Sequence, residues 1–120
     1  MSLKIYGIKN CNTVKSALNW LDENGVAYEF HDFKTKGVTA AQLKDWVAQV
    51  GWETLVNKRG TTWRKLSPEE QSKVKSASSA IALMKEKTSV IKRPVVEADG
   101  ELVAVGFDPD EYAEIRKRYI

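Results

Sequence analysis

The first 33 residues change hydrophobic period twice, and this constrains the fold more than any other feature of the chain. Lys4 to Ile8, KIYGI, is a short β-rich segment that breaks at Lys9-Asn10-Cys11. From Thr13 the pattern is helical: Val14, Ala17, Leu18 and Leu21 follow the i, i+3, i+4, i+7 template. Gly25, after Glu23-Asn24, suits the residue that closes a helix. Val26 to Phe33 then alternates, with Val26, Tyr28 and Phe30 on one face, which predicts a strand. Such a β-α-β opening calls for parallel strands joined by a right-handed crossover.

The middle of the chain has helical signals. Thr39 and Gln42 have the spacing of a capping box, and Leu43, Trp46, Val47 and Val50 make one apolar stripe that ends at Gly51. Trp52 to Val56 can add a further turn. Ser67-Pro68-Glu69-Glu70 is a second start signal, and Ala80 to Lys87 predicts one more short helix. Towards the end the period returns to two. Val95 to Ala98 and Leu102 to Val105 flank Asp99-Gly100, the dipeptide of a tight hairpin. Asp108 to Glu111 is read as a third capping box, followed by a helix with Tyr112, Ile115 and Tyr119 inside. The order is β-α-β, then helices, then β-β-α, which predicts an α/β chain built on a mixed sheet.

At 120 residues the chain is expected to form one domain, residues 1–120. Its 42% hydrophobic and 29% charged residues are ordinary for a folded protein. The longest apolar run, Leu102 to Phe107 counting its glycine, is far short of the ~20 residues of a membrane span. The opening MSLKIYGIKNC has no apolar signal core, so a cytoplasmic location and no membrane partner are expected. A net charge of +3 with both signs interspersed does not call for nucleic acid. It mildly favours small anionic ligands.

Cys11 is the only cysteine. It falls between the first strand and the first helix, at the strand end where open α/β sheets place ligands. There a thiol meets unpaired N–H groups and the positive end of the helix dipole, and both favour thiolate. A free thiol near pKa 8.5 is lowered into the range of about 3.5 to 7.5 by such surroundings. Lys9 and Lys15 flank the cysteine, and Asn12 and Thr13 can donate or cap. An inert, buried cysteine is the competing reading, and the polar neighbours weigh against it. Val14 stands three residues on, so there is no C-x-x-C and any redox cycle needs an outside thiol.

Other features are less specific. From its residues alone Arg93-Pro94 is expected to be an ordinary trans bond at a strand start, with a solvated arginine. The loop Asn57 to Lys65 carries Lys58, Arg59 and Arg64. These could bind carboxylates or an oxyanion, or simply be solvated. His31, the only histidine, is read as structural or surface, and with one His and one Cys no zinc site is expected. Trp20, Trp46, Trp52 and Trp63 are read as packing residues.

Three stretches, IYGIKNCNTVKSALNWLDENGV, LVNKRGTTWRKL and IKRPVVEADGELVAVGFDPDEY, together resemble the arsenate reductase/Spx (ArsC-type) family, and within it the YffB-like branch. The resemblance runs from about Leu3 to Tyr119. It implies a thioredoxin-like mixed sheet with a helical insertion, about residues 39–88, between the second and third strands, and a cis Pro94. It further implies a glutathione-dependent thiol reductase with no bound cofactor and glutathione as co-substrate. In that reading Cys11 is the nucleophile toward a disulfide or an arsenic oxyanion, and Arg93 and Arg59 hold negative charge. Lys9, Asn10, Asn12, Thr13, Lys15, Lys58 and Pro94 complete the expected substrate- or glutathione-binding set, and the backbone N–H groups of Asn12 and Thr13 are expected to steady the thiolate. The third arginine of the family pattern has no counterpart, since Gly106-Phe107 stands in its place. Expected partners are glutathione or a small thiol protein and a small anionic or disulfide substrate. The alternative that the resemblance allows is an Spx-like regulatory module docking on RNA polymerase.

Overall fold

A computed structural model of the chain describes residues 3–120, so the first two residues of the leader reading lie outside the described residues. Its elements are β1 (Leu3–Gly7), α1 (Asn12–Glu23), β2 (Tyr28–Asp32), α2 (Phe33–Lys36), α3 (Ala40–Val50), α4 (Trp52–Leu55), α5 (Thr61–Arg64), α6 (Pro68–Ser72) and α7 (Ala77–Glu86). A 3₁₀ turn (Thr88–Val90), β3 (Val95–Ala98), β4 (Glu101–Val105) and α8 (Pro109–Tyr119) follow. They form two compact units, one from the residues up to Lys36 with Arg93–Ile120, the other from Gly37–Lys92. The expected insertion, 39–88, falls inside the second.

The first unit holds a four-stranded sheet in the order β2-β1-β3-β4. β1 runs parallel to β2, while β1–β3 and β3–β4 are antiparallel. The period-2 pattern sends Leu3 and Ile5 to one face. There they join Ala17 and Leu21 of α1, Val96 and Ala98 of β3, and Tyr112 and Ile115 of α8 in one buried cluster. The opposite face carries Tyr6, whose hydroxyl donates to Glu97 Oε1 at 2.8 Å. His31 lies beside it with ring centroids 4.9 Å apart, a packing histidine as expected.

In the second unit α3 and α7 pack together, Leu43 and Trp46 being the buried residues of one, Ala80 and Met84 those of the other. Thr39 and Ser67 close the two expected capping boxes. A third box, Ser76 with Ser79, starts α7 three residues before the expected Ala80. Serine rather than Glu or Gln at its fourth position hid that start. The Asp108 expectation is half right: its carboxylate accepts from the Asp110 N–H at 3.0 Å, an N-cap one residue short of the box position. The strand expected over Val26 to Phe33 is trimmed to Tyr28–Asp32, because the Asp32 carboxylate accepts the Lys34 N–H at 2.9 Å and turns Phe33 into a helical turn.

Asp99 (φ 52) and Gly100 (φ 82) both lie in the left-handed region, as a type I′ hairpin turn requires. A Cβ at Gly100 would meet nothing within 4 Å. The substitution Gly100→Ala therefore costs backbone conformation alone, about 1–2 kcal/mol. Urea unfolding should show a lower midpoint with an unchanged slope; an unchanged midpoint would mean that the turn does not constrain the hairpin.

Candidate active site

The central position of β1 decides what gathers at its C-terminal end. β1 is paired on both sides, and Tyr6 opposes His31 on β2 and Val95 on β3. Because β3 runs antiparallel, the residues just before it lie beyond the end of β1. Arg93 and Pro94 are those residues, and Cys11 follows the same end of β1 by four positions. Antiparallel register thus brings together two residues 82 positions apart in the chain. The Arg93-Pro94 bond is cis, as the resemblance implied and contrary to the expectation from the residues alone.

Cys11 is the N-cap of α1, with extended backbone angles (φ −142, ψ 122), and its carbonyl accepts the first helical bond from Lys15 N–H at 2.9 Å. No acidic side chain occupies the first turn to offset the positive helix end. The sulfur makes no formal cap hydrogen bond, but its surroundings act on it. Partial burial alone would push the thiol pKa up. The N–H of Val14, the hydrogen bond and charge of the Arg93 guanidinium, and the N–H of Thr13 outweigh it, so the thiol lies below its ordinary value. The contributing amides are those of Val14 and Thr13. Asn12, expected alongside Thr13, is the first helical residue, whereas an N-cap side chain reaches the second and third N–H groups.

Gly7 holds this helix end in place. A Cβ at Gly7 would come within 2.9 Å of Val14 Cγ2, so only glycine lets the first turn of α1 settle this closely on the end of β1. Sequence reasoning passed over it, although a lone glycine in a strand pattern signals close approach. Gly106-Phe107 stands where the resemblance implies a third arginine. Gly106 has φ 94, its N–H donates to Pro94 O at 2.8 Å, and its carbonyl accepts the Tyr112 hydroxyl at 2.9 Å. An arginine there would be strained. Phe107 turns to pack edge-on against Tyr112, ring centroids 5.0 Å apart.

The remaining expected residues divide between the units. Lys9, Asn10, Asn12, Thr13 and Lys15 are exposed around Cys11, and Pro94 is buried. Lys58 and Arg59 belong to the second unit and are exposed there. The Lys58 ammonium lies 5.6 Å from the ring centres of both Trp52 and Trp63, so those two half-buried indoles hold a cation of the same chain. Among the described residues no helix is long and apolar enough to cross a membrane.

Comparison with known proteins agrees with this arrangement. The chain matches the ArsC family model over residues 6–115. It is similar to the solved YffB protein at 46% identity and TM-score 0.87, covering 93% of this chain and 96% of that one. An arsenate reductase (ArsC) related protein from Brucella melitensis is 48% identical with TM-score 0.77, covering 98% and 96%. A protein of Haemophilus influenzae is 38% identical over 110 residues, 92% of this chain and 95% of its own. The global transcriptional regulator Spx of Streptococcus agalactiae is 27% identical over 104 residues, 85% of this chain and 74% of its own. With a thioredoxin-like sheet, a cysteine capping the first helix and a family match spanning nearly its whole length, this chain belongs to the ArsC family.

Proposed function

We propose that the protein is a cytosolic, glutathione-dependent thiol reductase in which Cys11 is the nucleophile. The observation that carries the reading is the lowered thiol: a sulfur that is partly buried and still lies below its ordinary pKa, because helix N–H groups and Arg93 outweigh burial. In the proposed step the Cys11 thiolate attacks one sulfur of a disulfide R–S–S–R′. A Cys11–S–S–R bond forms, the substrate disulfide breaks, and R′–S⁻ leaves with the electron pair and takes a proton from water. Glutathione thiolate then attacks the R sulfur, forms G–S–S–R and releases Cys11 as thiolate. A second glutathione reduces that mixed disulfide and leaves oxidised glutathione. A low-pKa thiol suits this cycle because it is also the better leaving group.

Arg93 holds negative charge beside the reacting sulfur, and Arg59 is assigned to substrate or glutathione charge on the family pattern. Arsenic in an oxyanion is the other electrophile open to Cys11. Its recognition lacks the third arginine of the family pattern, in whose place Gly106-Phe107 stands. One missing charge-assisted contact costs about 1.5–3 kcal/mol, so a disulfide is the favoured substrate class. The similarity to Spx favours one second reading, a regulatory docking module. That reading predicts a stable partner, RNA polymerase by the resemblance, that Cys11→Ser still binds.

Three outcomes follow. Iodoacetamide labelling of Cys11 against pH should have its midpoint below the ~8.5 of a free thiol. Arg93→Ala should move that midpoint up, since it removes a group that lowers the thiol; a wild-type midpoint at or above a free thiol's would defeat the activation argument. Incubation with oxidised glutathione should leave one glutathione on the wild type by mass spectrometry and none on Cys11→Ser. In turnover with glutathione, Arg93→Ala and Arg59→Ala should each lose roughly ten- to a hundredfold, the worth of a charge-assisted contact; unchanged kinetics would remove that arginine from the site.

A further inference from the structure

A chain of hydrogen bonds leads from the interior of the first unit to the segment that carries Arg93. Tyr112 of α8 is buried, and its hydroxyl donates to the Gly106 carbonyl at 2.9 Å. Gly106 is buried too, and its N–H donates to the Pro94 carbonyl at 2.8 Å. In an antiparallel ladder such a pair exchanges two bonds, but proline has no N–H to return. One bond therefore closes the ladder at this end, one residue beyond the Val95–Val105 pair. The next residue outward is Arg93, whose guanidinium hydrogen-bonds the Cys11 sulfur.

That single bond depends on how a freely rotating residue is held. Gly106 has φ 94, and glycine has the widest choice of backbone angles of any residue. The Tyr112 hydroxyl fixes it by its carbonyl, on the side away from Pro94. The donor is itself held in place: the Tyr112 ring packs edge-on against Phe107 and Trp20, ring centroids 5.0 and 5.8 Å apart. Burial raises the Tyr112 pKa, so the hydroxyl stays a donor throughout the range in which a thiol titrates. Without it the buried Gly106 carbonyl would have to find another partner. Gly106 can turn to do so, and turning it disturbs the bond to Pro94 and the backbone on which Arg93 sits.

We propose that Tyr112 is a positioning residue for Cys11, holding Arg93 beside the sulfur through Gly106 and Pro94. That role rests on Cys11 being an activated nucleophile, and it extends the activation to a residue of the last helix. Tyr112→Phe tests it, because the ring contacts stay and only the hydroxyl goes. The midpoint of iodoacetamide labelling against pH should rise by roughly 0.4 pH unit, the low end of coupling within one hydrogen-bond network, and by less than in Arg93→Ala. Added to Arg93→Ala, the same change should move the midpoint no further, since the hydroxyl acts through the guanidinium. Gly100→Ala, which weakens the same hairpin at its far end, should leave the midpoint at its wild-type value. A hydroxyl that served stability alone would behave as Gly100→Ala does. An unmoved midpoint in Tyr112→Phe, an equal rise in Gly100→Ala, or a further rise in the double variant each overturns the proposal. In the unsubstituted protein the Gly106 amide should exchange with solvent deuterium far more slowly than an unbonded amide, and fast exchange would break the proposed tie whether or not the variant folds. A wild-type midpoint at the free-thiol value sinks the activation of Cys11 and the role of Tyr112 together. A low wild-type midpoint that Tyr112→Phe leaves in place sinks the role of Tyr112 alone.

Discussion

Everything distinctive about this chain turns on an electrostatic contest at one sulfur. Burial opposes charge on Cys11, while two helix amides and a guanidinium favour it, and the favourable side prevails. None of the contributors is close to Cys11 by chance. The amides are present because the backbone at Cys11 is extended and the next residue begins a helix. The guanidinium is present because β3 pairs antiparallel with β1 and begins where β1 ends. Parallel pairing would carry the start of β3, and Arg93 with it, to the opposite end of the strand.

That contest also depends on close packing. Val14 is fully buried and supplies both a core side chain and a thiol-facing amide. Its methyl groups lie against Gly7, so core packing and site electrostatics share one residue. Moving the helix outward to fit a larger residue at position 7 would displace the amides that the sulfur feels. This is the sense in which the fold, rather than any single polar contact, sets the state of the thiol.

The parts legible in the sequence are those written in local chemistry. The period changes predicted β1, α1 and β2; Asp99-Gly100 predicted the hairpin; Thr39-x-x-Gln42 and Ser67-x-x-Glu70 predicted their helix starts. Cys11 was legible because the strand-to-helix change brackets it. What escaped depends on long-range register or on contacts without a signature. Ser76 with Ser79 is a box in an unfamiliar spelling. The residues of Arg93-Pro94 gave no sign of their proximity to Cys11 or of a cis bond. The family resemblance supplied the cis bond, and the pairing of β1 with β3 explains the proximity.

Position 106 shows how tightly the segment after β4 is tied into the fold. Its glycine has φ 94, with its N–H on Pro94 and its carbonyl taking the buried Tyr112 hydroxyl. Both hydrogen bonds belong to the framework that ties β3, β4 and α8 together. Burial raises the Tyr112 pKa, with the Glu111 charge adding to it, so this hydroxyl keeps its proton and goes on donating. Replacing the glycine by an arginine would strain a residue on which that framework relies. A chain built this way keeps Cys11 and the guanidinium beside it.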